Sequence, residues 1–136
     1  MYTGSRYKEA FRIINTTSDF TALIKRERYR ADRNNQKFSL ITFDVGELKN
    51  NHVKFDQLLE VLSSRLRISD EIGWFDERRL AILLPETSYD GARKLSNIIR
   101  VNISVSDPLS SCTVYVYPSI NWIKENDCKD IPLHRE

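Results

Sequence analysis

Arg67 and Asp70 stand three residues apart, where a helical apolar pattern gives way to a strand pattern. An arginine fork can grip a phosphate or the O6/N7 edge of a guanine, and an aspartate can accept from guanine N–H groups. The competing reading is local: the helix dipole favours arginine near a C-terminus, and aspartate is a routine loop residue. Asp44 closes an apolar run, where an acid either offers oxygens to a divalent cation or caps the next turn. Further on, Asp76-Glu77-Arg78-Arg79 places two acids and two guanidiniums between two apolar runs. Cys112 and Cys128 lack a CxxC spacing, and His52 and His134 have no partner at metal-ligand spacing, so idle thiols are expected and zinc is not.

These residues need elements to position them. The first helix is expected from about Ser18, as N-cap, to Asn34-Asn35, with Phe20, Leu23, Ile24 and Ala31 on its apolar face. Lys25, Arg26, Arg28, Arg30 and Arg33 crowd its other side. Glu27 and Asp32 are interspersed among them, so a solvated face is favoured over a phosphate-binding stripe. Phe38 to Val45 is β-branched and aromatic and predicts a buried strand, followed by a helix with Phe55, Leu59, Leu62 and Leu66 at helical spacing. Glu71 to Phe75 and Leu80 to Leu84 predict a hairpin, with Pro85 as its stop. Strand alternation sends one of Trp74 and Phe75 inward and the other toward the exposed sheet face, where it serves as a partner-docking spot or, as the favoured reading, as core. Thr87-Ser-Tyr-Asp90 has the form of a capping box before a helix carrying Ala92, Leu95, Ile98 and Ile99. Cys112 to Tyr117 predicts the last strand. The order is a helix and then βαββαβ, an α+β, ferredoxin-like arrangement with a mixed antiparallel sheet and helices on one face.

Length and composition bound the function. A chain of 136 residues suits one domain with a sizeable core. The expected divisions are a helical lead-in at 1–17, a domain at 18–120 and a polar tail at 121–136. A net charge of +2 does not by itself imply nucleic acid, and no run nears the roughly 18 apolar residues of a membrane span. No signal-type segment opens the chain, so a cytoplasmic location is expected.

The hairpin region resembles the centre of GGDEF domains, the family that includes the diguanylate cyclases. The family pattern runs Arg-x-x-Asp, five residues, Gly-Gly-Asp-Glu-Phe, then Ala-Ile-Leu-Leu-Pro. This chain has Arg67 and Asp70, five residues, Asp76-Glu-Arg-Arg-Leu80, and Ala81-Ile-Leu-Leu-Pro85, without a gap. Arg26 to Arg33 and Phe38 to Asp44 are similar to the family's arginine-rich helix and first strand, and Thr87 to Arg100 to its later helix. The family's Asp-x-Asp-x-Phe-Lys-x-x-Asn-Asp corresponds to Asp44-Val-Gly-Glu-Leu-Lys-Asn-Asn-His-Val53. Asp44 and Lys49 are kept, Gly46 replaces the second aspartate, His52 replaces the nucleotide-holding asparagine, and Asp56 is the candidate guanine reader.

The resemblance implies a bacterial cyclase fold whose chemistry has been lost. Joining two GTP molecules uses two divalent metals held by carboxylates, but Arg78 and Arg79 stand where the turn should supply acids. Asp76 and Glu77 stand where paired glycines let backbone approach the phosphates. Shifting the alignment by two residues would put Asp76-Glu77 on the acidic pair, at the cost of two gaps and with Trp74-Phe75 in the glycine places. The family's Arg-x-x-Asp is an inhibitory cyclic di-GMP site, which would make Arg67 and Asp70 a receptor site without a cofactor. Three functions are thus expected in falling order. The first is an inactive regulatory domain that binds a protein partner or dimerises, with or without cyclic di-GMP. The second is a GTP- or ATP-binding domain using Asp44, Lys49 and Asp56, and the third is an active cyclase. Neither nucleic acid nor membrane insertion is expected.

Overall fold

The computed structural model describes residues 13–46, 50–102 and 112–119. Its elements in chain order are α1 (Thr17–Asn34), β1 (Phe38–Asp44), α2 (His52–Arg65), β2 (Glu71–Trp74), β3 (Arg79–Pro85), α3 (Tyr89–Asn102) and β4 (Thr113–Tyr117). The sheet order is β2-β3-β1-β4, with every neighbouring pair antiparallel. β3 therefore lies between β1 and β2, and β1 between β3 and β4, which is two interlocked split βαβ units. The expected ferredoxin-like α+β fold is present. No helix among the described residues is long and apolar enough to cross a membrane.

The helices do not share one face. Alternation along β1 sends Ile41, Phe43 and Val45 to one side, where they pack with Leu58 and Leu62 of α2 and Ala92 and Ile99 of α3. Phe38 and Leu40 go to the other side, where Phe20, Ile24 and Ala31 of α1 cover them. β1 is thus buried on both faces, with Ser39 and Thr42 buried among its apolar residues. Phe75 is buried on the α1 side. Trp74 packs at the edge of the α2–α3 core, its ring stacked on Phe55 at 6.1 Å. On α2 the buried ridge is Leu58 and Leu62; Leu59 is only half-buried.

Helix starts differ from expectation by one or two residues. Thr16, not Ser18, caps α1, its Oγ1 accepting from Asp19 N at 3.1 Å. Ser88, not Thr87, caps α3 through Gly91 N at 3.4 Å. Asn35 ends α1 in the left-handed region, which asparagine tolerates. At residues 13–15 the chain is not helical; Asn15 bridges Gly73 on the β2 edge. Residues 1–12 of the proposed lead-in, the tail at 121–136, Cys128 and His134 lie outside the described residues.

Tyr117 ties β4 to α1 and carries a pH signature. Its ring stacks on Phe38 at 5.3 Å, and its hydroxyl donates to Asp32 at 2.8 Å. Burial, then the bond to Asp32, holds the phenol above its usual value. A raised phenol binds its proton more tightly when folded. Its contribution is therefore full below the unfolded value of about 10 and is lost as pH rises through the folded one. Melts between about pH 9 and about pH 11 should show the stability gap between wild type and Tyr117→Phe narrowing upward. A gap that stays constant would refute this linkage.

Candidate functional site

The hairpin turn between β2 and β3 is built on its own side chains. Asp76 Oδ1 accepts from the backbone N of Arg78 and of Arg79, both at 2.8 Å. Its Oδ2 accepts from Arg79 Nε at 2.8 Å and pairs with Arg79 Nη2 at 2.7 Å. The Arg79 guanidinium also lies 4.9 Å from the centre of the Phe75 ring. Aspartate in a turn often bonds backbone two residues on, so the sequence closes this loop without paired glycines. One consequence is chemical: the carboxylate of Asp76 faces arginine, not solvent cations.

Register brings the far end of β1 to the same place. Asp44 lies opposite Arg79, and Val45 N donates to Arg78 O at 2.8 Å. Arg78 then folds its guanidinium over the Asp44 carboxylate, with Nη2 3.2 Å from Oδ1 and Nε 3.3 Å from Oδ2. Gly46 N donates to the same Oδ1 at 2.8 Å. Both charged side chains keep solvent contact, so the pair is worth about 0–1 kcal/mol. Its importance is occupancy: a tethered guanidinium sits on the Asp44 carboxylate.

Gly46 extends the same logic. Its φ is +28°, a region that side-chain-bearing residues rarely adopt, and a Cβ there would lie 2.6 Å from Arg78 Nη2. An aspartate at position 46 and the present pose of Arg78 exclude each other. Any side chain at position 46 would require the Arg78 guanidinium to move off the Asp44 carboxylate.

A shallow cleft of about 510 Å³ runs between this turn and the start of α1, lined by Thr17, Asp44 and residues 75–79. Glu77 lines it and is exposed. Asp56 lies on the exposed side of α2 and does not line the cleft, and His52 is exposed at the start of the same helix. Lys49 lies outside the described residues. Among the described residues no cluster of three or more His, Cys, Asp or Glu is placed to hold a metal. The nucleotide cleft expected from Asp44, Lys49 and Asp56 therefore keeps Asp44 as its described lining acid from that set.

Arg67 and Asp70 do come together, on each other. Asp70 is 2% exposed, and its carboxylate accepts from Arg67 N at 2.8 Å, Nε at 3.4 Å and Nη2 at 2.9 Å. The same Nη2 donates to Pro85 O at 2.9 Å and Thr87 Oγ1 at 3.0 Å. The first cause of Arg67's raised pKa is its bond to Asp70. This is a clamp joining the end of α2, the end of β3 and the entry to α3, and it explains why Thr87 is not a helix cap. Sequence reasoning missed Thr87 and Pro85 because they lie 20 and 18 residues from Arg67. It also missed the Arg78–Asp44 contact, for which the one available signal was an acid at a strand end and a cation at a turn. Cys112 is half-buried, and burial raises its thiol pKa, which keeps it protonated and unreactive.

No protein-family model and no curated protein matches the chain. Solved structures do. A DGC protein from Thermotoga maritima aligns with a TM-score of 0.64 at 15% identity, covering 82% of this chain and 86% of that one. The active GGEEF domain of a diguanylate cyclase from Vibrio cholerae aligns with a TM-score of 0.54 at 21% identity, covering 77% and 76%. The diguanylate cyclase SiaD from Pseudomonas aeruginosa, solved in complex with its activator SiaC, gives 0.57 at 20% identity, covering 76% of this chain and 46% of that one. The chain has the fold of GGDEF diguanylate cyclase domains.

Proposed function

We propose that this chain is a non-catalytic regulatory domain on the GGDEF fold, and that it acts by binding a protein. One observation carries the reading: the guanidinium of Arg78 lies on the Asp44 carboxylate, 3.2 Å away. Two-metal phosphoryl chemistry needs several carboxylates converging on two cations. Magnesium sheds water reluctantly and is held through carboxylates together with substrate phosphates. Displacing Arg78 is energetically cheap, but Asp76 would stay held by Nε and Nη2 of Arg79, and among the described residues no three acids, imidazoles or thiols are placed to hold a metal. Arg78 and Arg79 also add positive charge where the metals would sit, which opposes their entry. A domain without turnover acts through its surfaces, and SiaD is a case in which a cyclase of this fold is bound by an activator protein.

The test is direct. Purified protein incubated with GTP and Mg²⁺ or Mn²⁺ should give no cyclic di-GMP above a protein-free blank by chromatography. Asp44→Asn should be indistinguishable from wild type. Product that appears with wild type and disappears with Asp44→Asn would overturn the reading. The purine-binding alternative predicts GTP or ATP binding that depends on Mg²⁺ and on Asp44. A cyclic di-GMP receptor at Arg67 and Asp70 is the weaker version, because ligand would compete with Asp70, Pro85 and Thr87 for one guanidinium. Calorimetric titration of wild type and Arg67→Ala separates the versions: binding lost in the variant would restore the receptor.

A further inference from the structure

The outer ridge of α1 has a composition that the fold does not require. With Phe20, Ile24 and Ala31 inward, helical spacing puts Arg26, Tyr29 and Arg33 in a line on the opposite side. All three are exposed, Tyr29 by 60%. The acids beside them are engaged at the flanks. Glu27 pairs with Arg30 at 3.1 Å, Glu86 reaches the same arginine at 3.4 Å, and Asp32 accepts from Tyr117. Among the described residues no acid pairs with Lys25, Arg26 or Arg33. A tyrosine in water on a helix is a poorer helix former than lysine or glutamate, and here it adds nothing to the core. Tyrosine and arginine are the residues most enriched at the energetic centres of protein interfaces.

We propose that this ridge is the docking face for an acidic segment of a protein partner, an inference that rests on the protein-binding reading above. Charge complementarity selects the occupant. Arg26 and Arg33 are seven residues apart, about 10 Å along the axis, which matches carboxylates at i and i+7 of a helix. Tyr29 between them covers an apolar residue of the partner. Nucleic acid fits less well: the cations form one short ridge bordered by Asp19, Glu27, Asp32 and Glu86, and the net charge is only +2.

The experiment is an amide-shift titration of the full chain with a capped helical peptide bearing glutamates seven residues apart and leucine between them. Shifts should be confined to residues 22–33. Arg26→Glu combined with Arg33→Glu should weaken binding at least about tenfold, and Tyr29→Ala by about tenfold with charge unchanged. Lys94→Glu, on α3, should leave binding as it was, and unchanged melting of each variant shows that it is folded. Shifts scattered over other faces, a neutral Tyr29→Ala, or tighter binding of a DNA duplex or anionic vesicles would overturn the proposal. The GTP assay is independent, so loss of peptide binding without turnover removes the docking face and leaves the non-catalytic reading standing.

Discussion

Alanine at Gly73 is expected to destabilise the domain by about 3 kcal/mol, lowering the melting temperature by roughly 15 °C. The sign is the informative part. Glycine inside a strand is unfavourable, and in an open site alanine would stabilise by up to about 1 kcal/mol. Here Gly73 lies in β2 beneath the ring of Phe20, and an added Cβ would meet the Phe20 ring atoms and stand 2.7 Å from Phe20 Cβ. Phe20 is 1% exposed, so the ring has no open space to turn into. The helix must lift off the sheet instead, loosening Ile24 and Ala31 with it. Phe20→Ala should itself cost about 3–5 kcal/mol, and in that background the alanine at Gly73 should cost less, because the ring contacts are gone and only the 2.7 Å approach to the Cβ at position 20 remains. Thermal melts of the four proteins give the coupling. A single variant melting within a degree or two of wild type would show that α1 yields cheaply.

The second large effect is expected at Asp70. Asp70→Ala removes a buried carboxylate that accepts from one backbone N–H and two guanidinium nitrogens. The loss should be about 2–3 kcal/mol, below the 3–5 kcal/mol of fully buried pairs, because Arg67 is half exposed and water can reclaim it. Arg67→Ala should cost less, about 1–2 kcal/mol, since the backbone N–H at residue 67 still serves the carboxylate. Urea melts of both single variants and the double variant measure the coupling directly. A near-zero coupling would mean that the clamp does not form in solution, leaving both side chains available to a ligand. A clear coupling makes the Arg-x-x-Asp pair a joint between α2, β3 and α3.

Much of the fold was legible because its signals are local. The period changes from 3.6 to 2 at Phe38, Glu71 and Thr113, and apolar spacing marks α1, α2 and α3. β1 was readable as a buried strand from its β-branched and aromatic residues. The placement of α1 on the opposite face was not, since a helix's apolar stripe says that it packs and not which side of a sheet it meets. Caps were misplaced by one or two residues because Thr16, Ser18, Thr87 and Ser88 are all competent N-caps. Tertiary contacts choose between them, as Thr87 shows by bonding Pro85 and Arg67 instead.

The site divides the same way. Which residue types stand at the turn, and the three-residue spacing of Arg67 and Asp70, were legible in the sequence, because residue type and separation along the chain are sequence properties. Only the tertiary structure decided where the cations go. Arg78 meets Asp44 across 34 residues, and Arg67 meets Pro85 and Thr87 across 18 and 20. Those meetings depend on the antiparallel register that sets Asp44 against Arg79 and brings the end of β3 to the end of α2. A side chain's partner is fixed by strand pairing and packing, and the linear spacing of charges does not encode it.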